Sequence, residues 1–191
     1  MHAKKTKLLK LSLLFILAQA ALGFRISAQD TIVPHRKESP LAMATFLSEN
    51  NTYLKITYGQ PYRKSRVIFG ELVPYGQLWR TGANEATEFT TTGDIKVGKK
   101  MLPEGTYTLF TIPQEDKCTI IFNKVLGQWG AYKYEEVKGE NALTLDVPME
   151  EGKDVYEAFT IQFEETKNGA DLVLLWDKSR ISVPIFFDKK R

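Results

Sequence analysis

Apolar and polar residues alternate along most of the chain from Ser39-Pro40 onward. Segments 43–47 and 53–58 flank Ser48-Glu49-Asn50-Asn51, a turn-forming cluster, so the pattern predicts an opening hairpin. The same rhythm predicts strands over 86–92, 94–98, 105–112, 117–123, 142–147, 157–164, 170–176 and 180–186, most of them bounded by Gly, Pro, Asn or Asp. Thr106–Ile112, Phe159–Phe163 and Ile181–Ile185 read as half-buried strands. No segment carries a 3.6-residue apolar stripe. About ten short strands with turns between them predict an all-β fold, a single antiparallel β-sandwich, with jelly-roll-like and barrel-like variants as alternatives. A domain of this size buries roughly 68–70% of its unfolded surface, enough to stand without disulfide or metal.

The first thirty residues have a different character. Lys4, Lys5, Lys7 and Lys10 precede an apolar run from Leu11 to Leu22, and Ser27-Ala28 offers small residues for cleavage before Gln29. The run is about a dozen residues, short of the ~20 that span a bilayer, and no cysteine follows it to carry a lipid. The expected organisation is a signal peptide at 1–28, a flexible leader at 29–38, and one β-sandwich domain at 39–188. The product is expected to be exported, periplasmic or secreted, with no membrane anchor after cleavage.

Cleavage also changes the charge. The chain carries 26 Lys+Arg and 23 Asp+Glu, and residues 1–28 hold five of the bases and none of the acids. The remainder has 21 against 23, or −2. Such a domain lacks the electrostatic footprint of a nucleic-acid or anionic-lipid partner.

Catalytic and metal signals are sparse. Cys118 is the only cysteine, and it alternates with Ile120 and Phe122 on one strand face, the place of a small buried hydrophobe. Beyond residue 28 the sole histidine is His35, which disfavours Cys–His and Ser–His–Asp chemistry. No metal-ligand spacing appears and no cofactor is indicated.

Two stretches interrupt the strand rhythm, 59–85 and 124–139, and long connections of this kind often hold function. The first ends in Trp79-Arg80-Thr81-Gly82-Ala83-Asn84-Glu85-Ala86-Thr87. Its guanidinium, carboxamide and carboxylate suit a small polar ligand, or equally an internal Arg80–Glu85 staple. The second places Trp129, Tyr132 and Tyr134 within six residues, a stacking platform for a sugar ring or a plug over the core. The candidate ligand-binding residues are Arg66, Trp79, Arg80, Asn84, Glu85, Trp129 and Tyr132. Arg66 and Arg80 would hold anionic or carbonyl oxygens, Asn84 and Glu85 would fix hydroxyls, and the aromatics would stack. A two-carboxylate hydrolase would need partners from separate strands, such as Glu71, Glu85 or Asp94, because Glu85 and Glu88, three apart on a strand, point to opposite faces.

The strings Leu72-Val-Pro-Tyr-Gly-Gln-Leu-Trp-Arg-Thr-Gly-Ala-Asn-Glu-Ala-Thr87 and Leu102-Pro-Glu-Gly-Thr-Tyr-Thr-Leu-Phe-Thr-Ile-Pro113, with Ile121–Lys124 and Gln128–Tyr132, closely resemble the domain-of-unknown-function family 2911. The resemblance runs from Ser39-Pro40 to Trp176 and the Val183-Pro184 end. It implies a β-sandwich-like domain in exported bacterial proteins, and it implies no activity. Two departures stand out: Ser65-Arg66 replaces the family's usual Gly-Arg, and Cys118 stands where a tryptophan is usual. The expected function is a binding module for a small polar or glycan ligand. The alternatives are a structural or protein-interaction domain of the cell envelope and a hydrolase using paired carboxylates.

Overall fold

A computed structural model describes residues 38–187 of the 191-residue chain; the predicted signal peptide and all but the last residue of the leader lie outside the described residues. Among the described residues nine strands form: β1 (Leu41–Leu47), β2 (Tyr53–Gly59), β3 (Thr87–Thr91), β4 (Ile95–Val97), β5 (Lys100–Leu102), β6 (Gly105–Pro113), β7 (Lys117–Asn123), β8 (Asn141–Thr166) and β9 (Gly169–Phe187). A one-turn helix, α1 (Tyr134–Val137), and a 3-10 turn (Lys138–Glu140) lead into β8. The strands form one antiparallel sheet in the order β1-β2-β3-β6-β7-β8-β9-β4-β5, an open all-β architecture.

The sheet folds over through β8. Asn141–Pro148 pairs with β7, and Met149–Thr166 pairs with β9, so one strand serves both halves. Alternation then decides the packing. Leu54, Ile56, Phe89, Leu109, Ile120 and Phe122 from the first half share a single core with Phe159, Ile161, Leu172, Leu174, Val183 and Ile185 from the second. Cys118 is fully buried in this core, as its position in the alternation predicts.

Three features depart from the predicted strand list. The expected pairs 142–147/157–164 and 170–176/180–186 are each one continuous strand. Between them the register slips, from Glu151↔Ser179 to Tyr156↔Asp177 and then Thr160↔Leu175. The Gly152 and Asp177 neighbourhoods, which look like turn signals in the sequence, thus mark bulges in paired strands. The third is β5, a three-residue strand hairpinned to β4, too short for the alternation to reveal.

A smaller apolar cluster sits on the opposite face of β6 and β7. Ala86, Phe110 and Ile121 are buried there beneath Leu78, Ala131 and Tyr134. Asn123, fully buried, fastens this cover at both ends. Its Nδ2 donates to Val137 O (2.8 Å) and Asn141 Oδ1 (2.9 Å), and its Oδ1 accepts from Val125 N (2.9 Å).

Candidate functional site

The connection from β2 to β3 is seated on the end of the sheet by backbone pairing. Trp79 N donates to Thr111 O (2.7 Å) and Thr111 N returns a bond to Trp79 O (2.9 Å). Beyond it the chain turns tightly, with Thr81 buried at φ 56°. The Thr81 hydroxyl meets Thr111 Oγ1 (3.1 Å), and Thr87 Oγ1 donates to Thr81 O (2.7 Å). Gly59 lets this turn approach β2: a Cβ there would sit 2.0 Å from Ala83 O. Only glycine permits that contact.

The bulge in β8 holds the opposite wall. Phe159 N donates to Pro61 O (2.8 Å) and Arg63 N to Glu157 O (2.7 Å), so residues 60–64 run beside the bulged strand. Arg63 Nε lies 3.1 Å from Asp177 Oδ1, an ion pair by charge and distance although its N–H is not aligned on the acceptor.

The two irregular stretches converge. Gly130 N donates to Asn84 O (3.1 Å) and Ala86 N to Gln128 O (2.9 Å), which makes Glu85 and Trp129 an isolated antiparallel bridge. Beside this bridge opens a cleft of ≈ 610 Å³, within the range of small-molecule sites. Five of the seven candidate residues line it: Arg66, Trp79, Arg80, Asn84 and Tyr132. Glu85 and Trp129 instead line a neighbouring pocket of ≈ 330 Å³.

The individual roles differ. Trp79 is mostly committed to the fold: its Nε1 donates to Gly82 O (3.0 Å), and its ring stacks on Trp176 (centroids 5.6 Å apart, planes at 18°) and meets the edge of Phe159. Arg66 spends two donors on its own turn, Nε to Arg63 O (2.9 Å) and Nη2 to Tyr62 O (2.6 Å). Asn84, exposed at φ 65°, reaches Ser39 O at 3.4 Å. Tyr132 is 79% exposed. Among the described residues, Arg80 makes no side-chain hydrogen bond or ion pair, and its buried Nε has no partner. The Arg80–Glu85 staple therefore does not form. Gly130, at φ 72°, leaves room for both Arg80 and Tyr132, since a Cβ there would lie 3.2 Å from Arg80 Nη1 and 2.7 Å from Tyr132 Cε2.

Among the described residues, the charges lining the cleft are Lys64, Arg66 and Arg80 against Glu38, three positive and one negative, for +2. Glu38 lies 3.6 Å from Lys64. Two lining residues escape notice in the sequence. Lys64 looks like one more surface cation, and Trp176 ends a strand pattern in which Leu172 and Leu174 share its face, so it reads as core.

The smaller pocket corrects one expectation. Glu85 precedes β3, where strand alternation does not yet apply, and it lines the same pocket as Glu88. Glu88 Oε1 accepts from Gly127 N (3.2 Å). Glu71 and Asp94 line neither pocket, and Asp94 instead accepts from Glu104 N (2.8 Å). The aromatic segment splits as well. Tyr134 plugs the outer cluster against Phe110, while Trp129, 63% exposed, and Tyr132 remain open. Among the described residues, no cluster of three or more His, Cys, Asp or Glu could hold a metal, and no helix is long and apolar enough to cross a membrane.

A family model described as "Protein of unknown function (DUF2911)" matches residues 39–185. No curated protein and no solved structure matches the chain. The chain belongs to the DUF2911 family.

Proposed function

We propose that this DUF2911 member is an exported binding module that takes a small polar ligand in the cleft between residues 60–66, 79–84 and Tyr132. The observation that carries the reading is Arg80: a half-buried guanidinium in a ligand-sized cleft, with no acceptor among the described residues. Structural arginines in partly buried places are paired, because a desolvated unpaired charge costs free energy. A ligand that brings acceptors removes that cost. Trp79 and the Gly82 turn form a rigid wall, while Asn84 and the open Tyr132 ring supply polar and stacking contacts at the rim. Glycans belong among the candidate ligands for that reason.

A thermal-shift screen of glycans and metabolites on the wild type and Arg80→Ala tests this. A ligand at a hundred times its Kd adds about 2.7 kcal/mol, a rise of roughly 5–10 °C in Tm for a domain of this size. Arg80→Ala should abolish the shift. A panel that leaves the wild type unmoved sinks the proposal for those compounds.

A protein-interaction role is the second reading, favoured by β1. Leu41, Met43 and Leu47 project from the outer face of this edge strand and are well exposed. Self-association in analytical ultracentrifugation, removed by Met43→Lys, would favour it over the cleft. A paired-carboxylate hydrolase gains little from the cleft, where Glu38 is the only lining carboxylate among the described residues.

A further inference from the structure

Two residues that line the cleft each carry a buried side-chain donor without an acceptor among the described residues. Arg80 Nε is one, and Trp176 Nε1 is the other. The Trp176 ring lines the cleft, stacked on Trp79, yet the residue is only 2% exposed, so solvent does not satisfy its N–H. Native folds rarely leave buried polar atoms unpaired without a reason. Here both orphans have the same sign. A guanidinium and an indole N–H can only donate, so whatever satisfies them must accept.

The surrounding charge points the same way. Among the described residues the lining groups sum to +2, and the one carboxylate, Glu38, is already beside Lys64. Arg66 keeps its charge at the cleft while two of its donors hold the Tyr62–Arg63 turn. A neutral sugar hydroxyl donates as well as accepts, whereas the two orphaned groups can only donate. An oxyanion presents acceptors alone and matches the guanidinium fork.

Building on the ligand-binding reading above, we propose that the cleft selects an oxyanion, the carboxylate or phosphate group of a small organic ligand. Arg80 takes the charge, and Trp176 Nε1–H donates a further hydrogen bond from the buried wall. Gly130 keeps the Arg80 guanidinium and the Tyr132 ring close to one point, so the body of the ligand stacks on Tyr132 while its charged end reaches Arg80. Trp176 thus has two duties, packing through its ring and recognition through its nitrogen.

Calorimetric titration with inorganic phosphate, succinate, glucose 6-phosphate and glucose tests this directly. At least one of the first three should bind, glucose should not, and added salt should weaken the interaction. Phosphate and glucose 6-phosphate binding without succinate identifies a phosphate site, and the reverse identifies a carboxylate site. Arg80→Gln should weaken binding about tenfold or more and Trp176→Phe, which keeps a ring but removes the donor, about threefold. Urea midpoints separate these losses from unfolding, and Arg80→Lys, which keeps the charge without the fork, should bind at intermediate strength. Binding of glucose without any oxyanion overturns the proposal and leaves the ligand-binding reading standing. Wild-type affinity in Arg80→Gln also overturns it. If none of the four probes binds, the oxyanion proposal fails, and the broader reading fails with it only when the wider thermal-shift panel is also silent.

Discussion

Adding one methyl group at Gly59 measures how rigidly the Arg80 turn is seated. In Gly59→Ala the new Cβ would lie 2.0 Å from Ala83 O and 2.9 Å from Ala83 C. Contacts this short are deep in the repulsive wall, so the two segments must part by about 1 Å or more. The obstructing atoms are backbone, and no side-chain rotation relieves them. Parting also stretches the Ala83 N to Gly59 O hydrogen bond, now 3.1 Å. Overpacking of this kind costs about 1–3 kcal/mol, and a weakened buried hydrogen bond adds about 0.5–1.5 kcal/mol. The expected loss is then about 2–4 kcal/mol, or roughly 5–15 °C in Tm. Urea denaturation followed by tryptophan fluorescence reads it as a lower midpoint at unchanged slope. Gly139→Ala is the control: a Cβ there meets nothing within 4 Å, and its effect should stay within about 0.5 kcal/mol. A Gly59→Ala protein as stable as that control would refute the close approach of β2 and the turn.

Three further outcomes are expected. Tyr58→Phe should cost about 1–3 kcal/mol, because the Tyr58 hydroxyl accepts the buried Ile161 N–H at 3.0 Å; equilibrium unfolding measures it. Burial pushes the Cys118 thiol up from 9.0 to about 12, so a thiol reagent at pH 8 should label it only after unfolding. Because the folded state holds this proton more tightly, its contribution is complete below about pH 9 and is lost as pH rises toward 12. Hydrogen bonds from Arg180 hold Glu164 below its ordinary 4.5, and those from Lys117 and Thr119 hold Asp146 below 3.8. Their contributions are present above those values and lost as pH falls through the folded ones. Glu164→Gln should flatten the acid limb of a stability–pH curve only slightly, since the Glu164 and Arg180 side chains are 36% and 31% exposed. An acid limb identical to wild type would count against the pair.

Much of the fold was legible because alternation reports directly on which face is buried. β2, β6 and β7 follow their predicted bounds closely, and Cys118 takes the core place its neighbours imply. The bulged strands were not legible, because Gly152 and Asp177 carry the same turn-favouring chemistry whether the chain reverses or merely slips register. At the site, the two irregular stretches do meet, and Arg80 and Tyr132 share a cleft. Glu85 and Trp129 fall outside it because the backbone bridge between them turns both toward the neighbouring pocket. Trp176 could not be found from its own strand, since its stacking on Trp79, 97 positions earlier in the chain, is a tertiary fact. Lys64 likewise enters only when the β8 bulge draws residues 60–64 alongside.

That bulge makes the cleft and the architecture one mechanical object. The wall at 60–64 leans on β8, and β8 belongs to both halves of the sheet, so a slip in its pairing with β9 would displace the wall at once. Occupancy of the cleft should therefore slow opening of the whole sheet rather than quiet a single loop. It also divides the positions open to change. A rim residue such as Tyr132, 79% exposed, can be exchanged with little consequence for folding, whereas Trp79 and Trp176 cannot. Under the proposed binding role, the mouth of the cleft is free to vary while its floor stays fixed by the demands of folding.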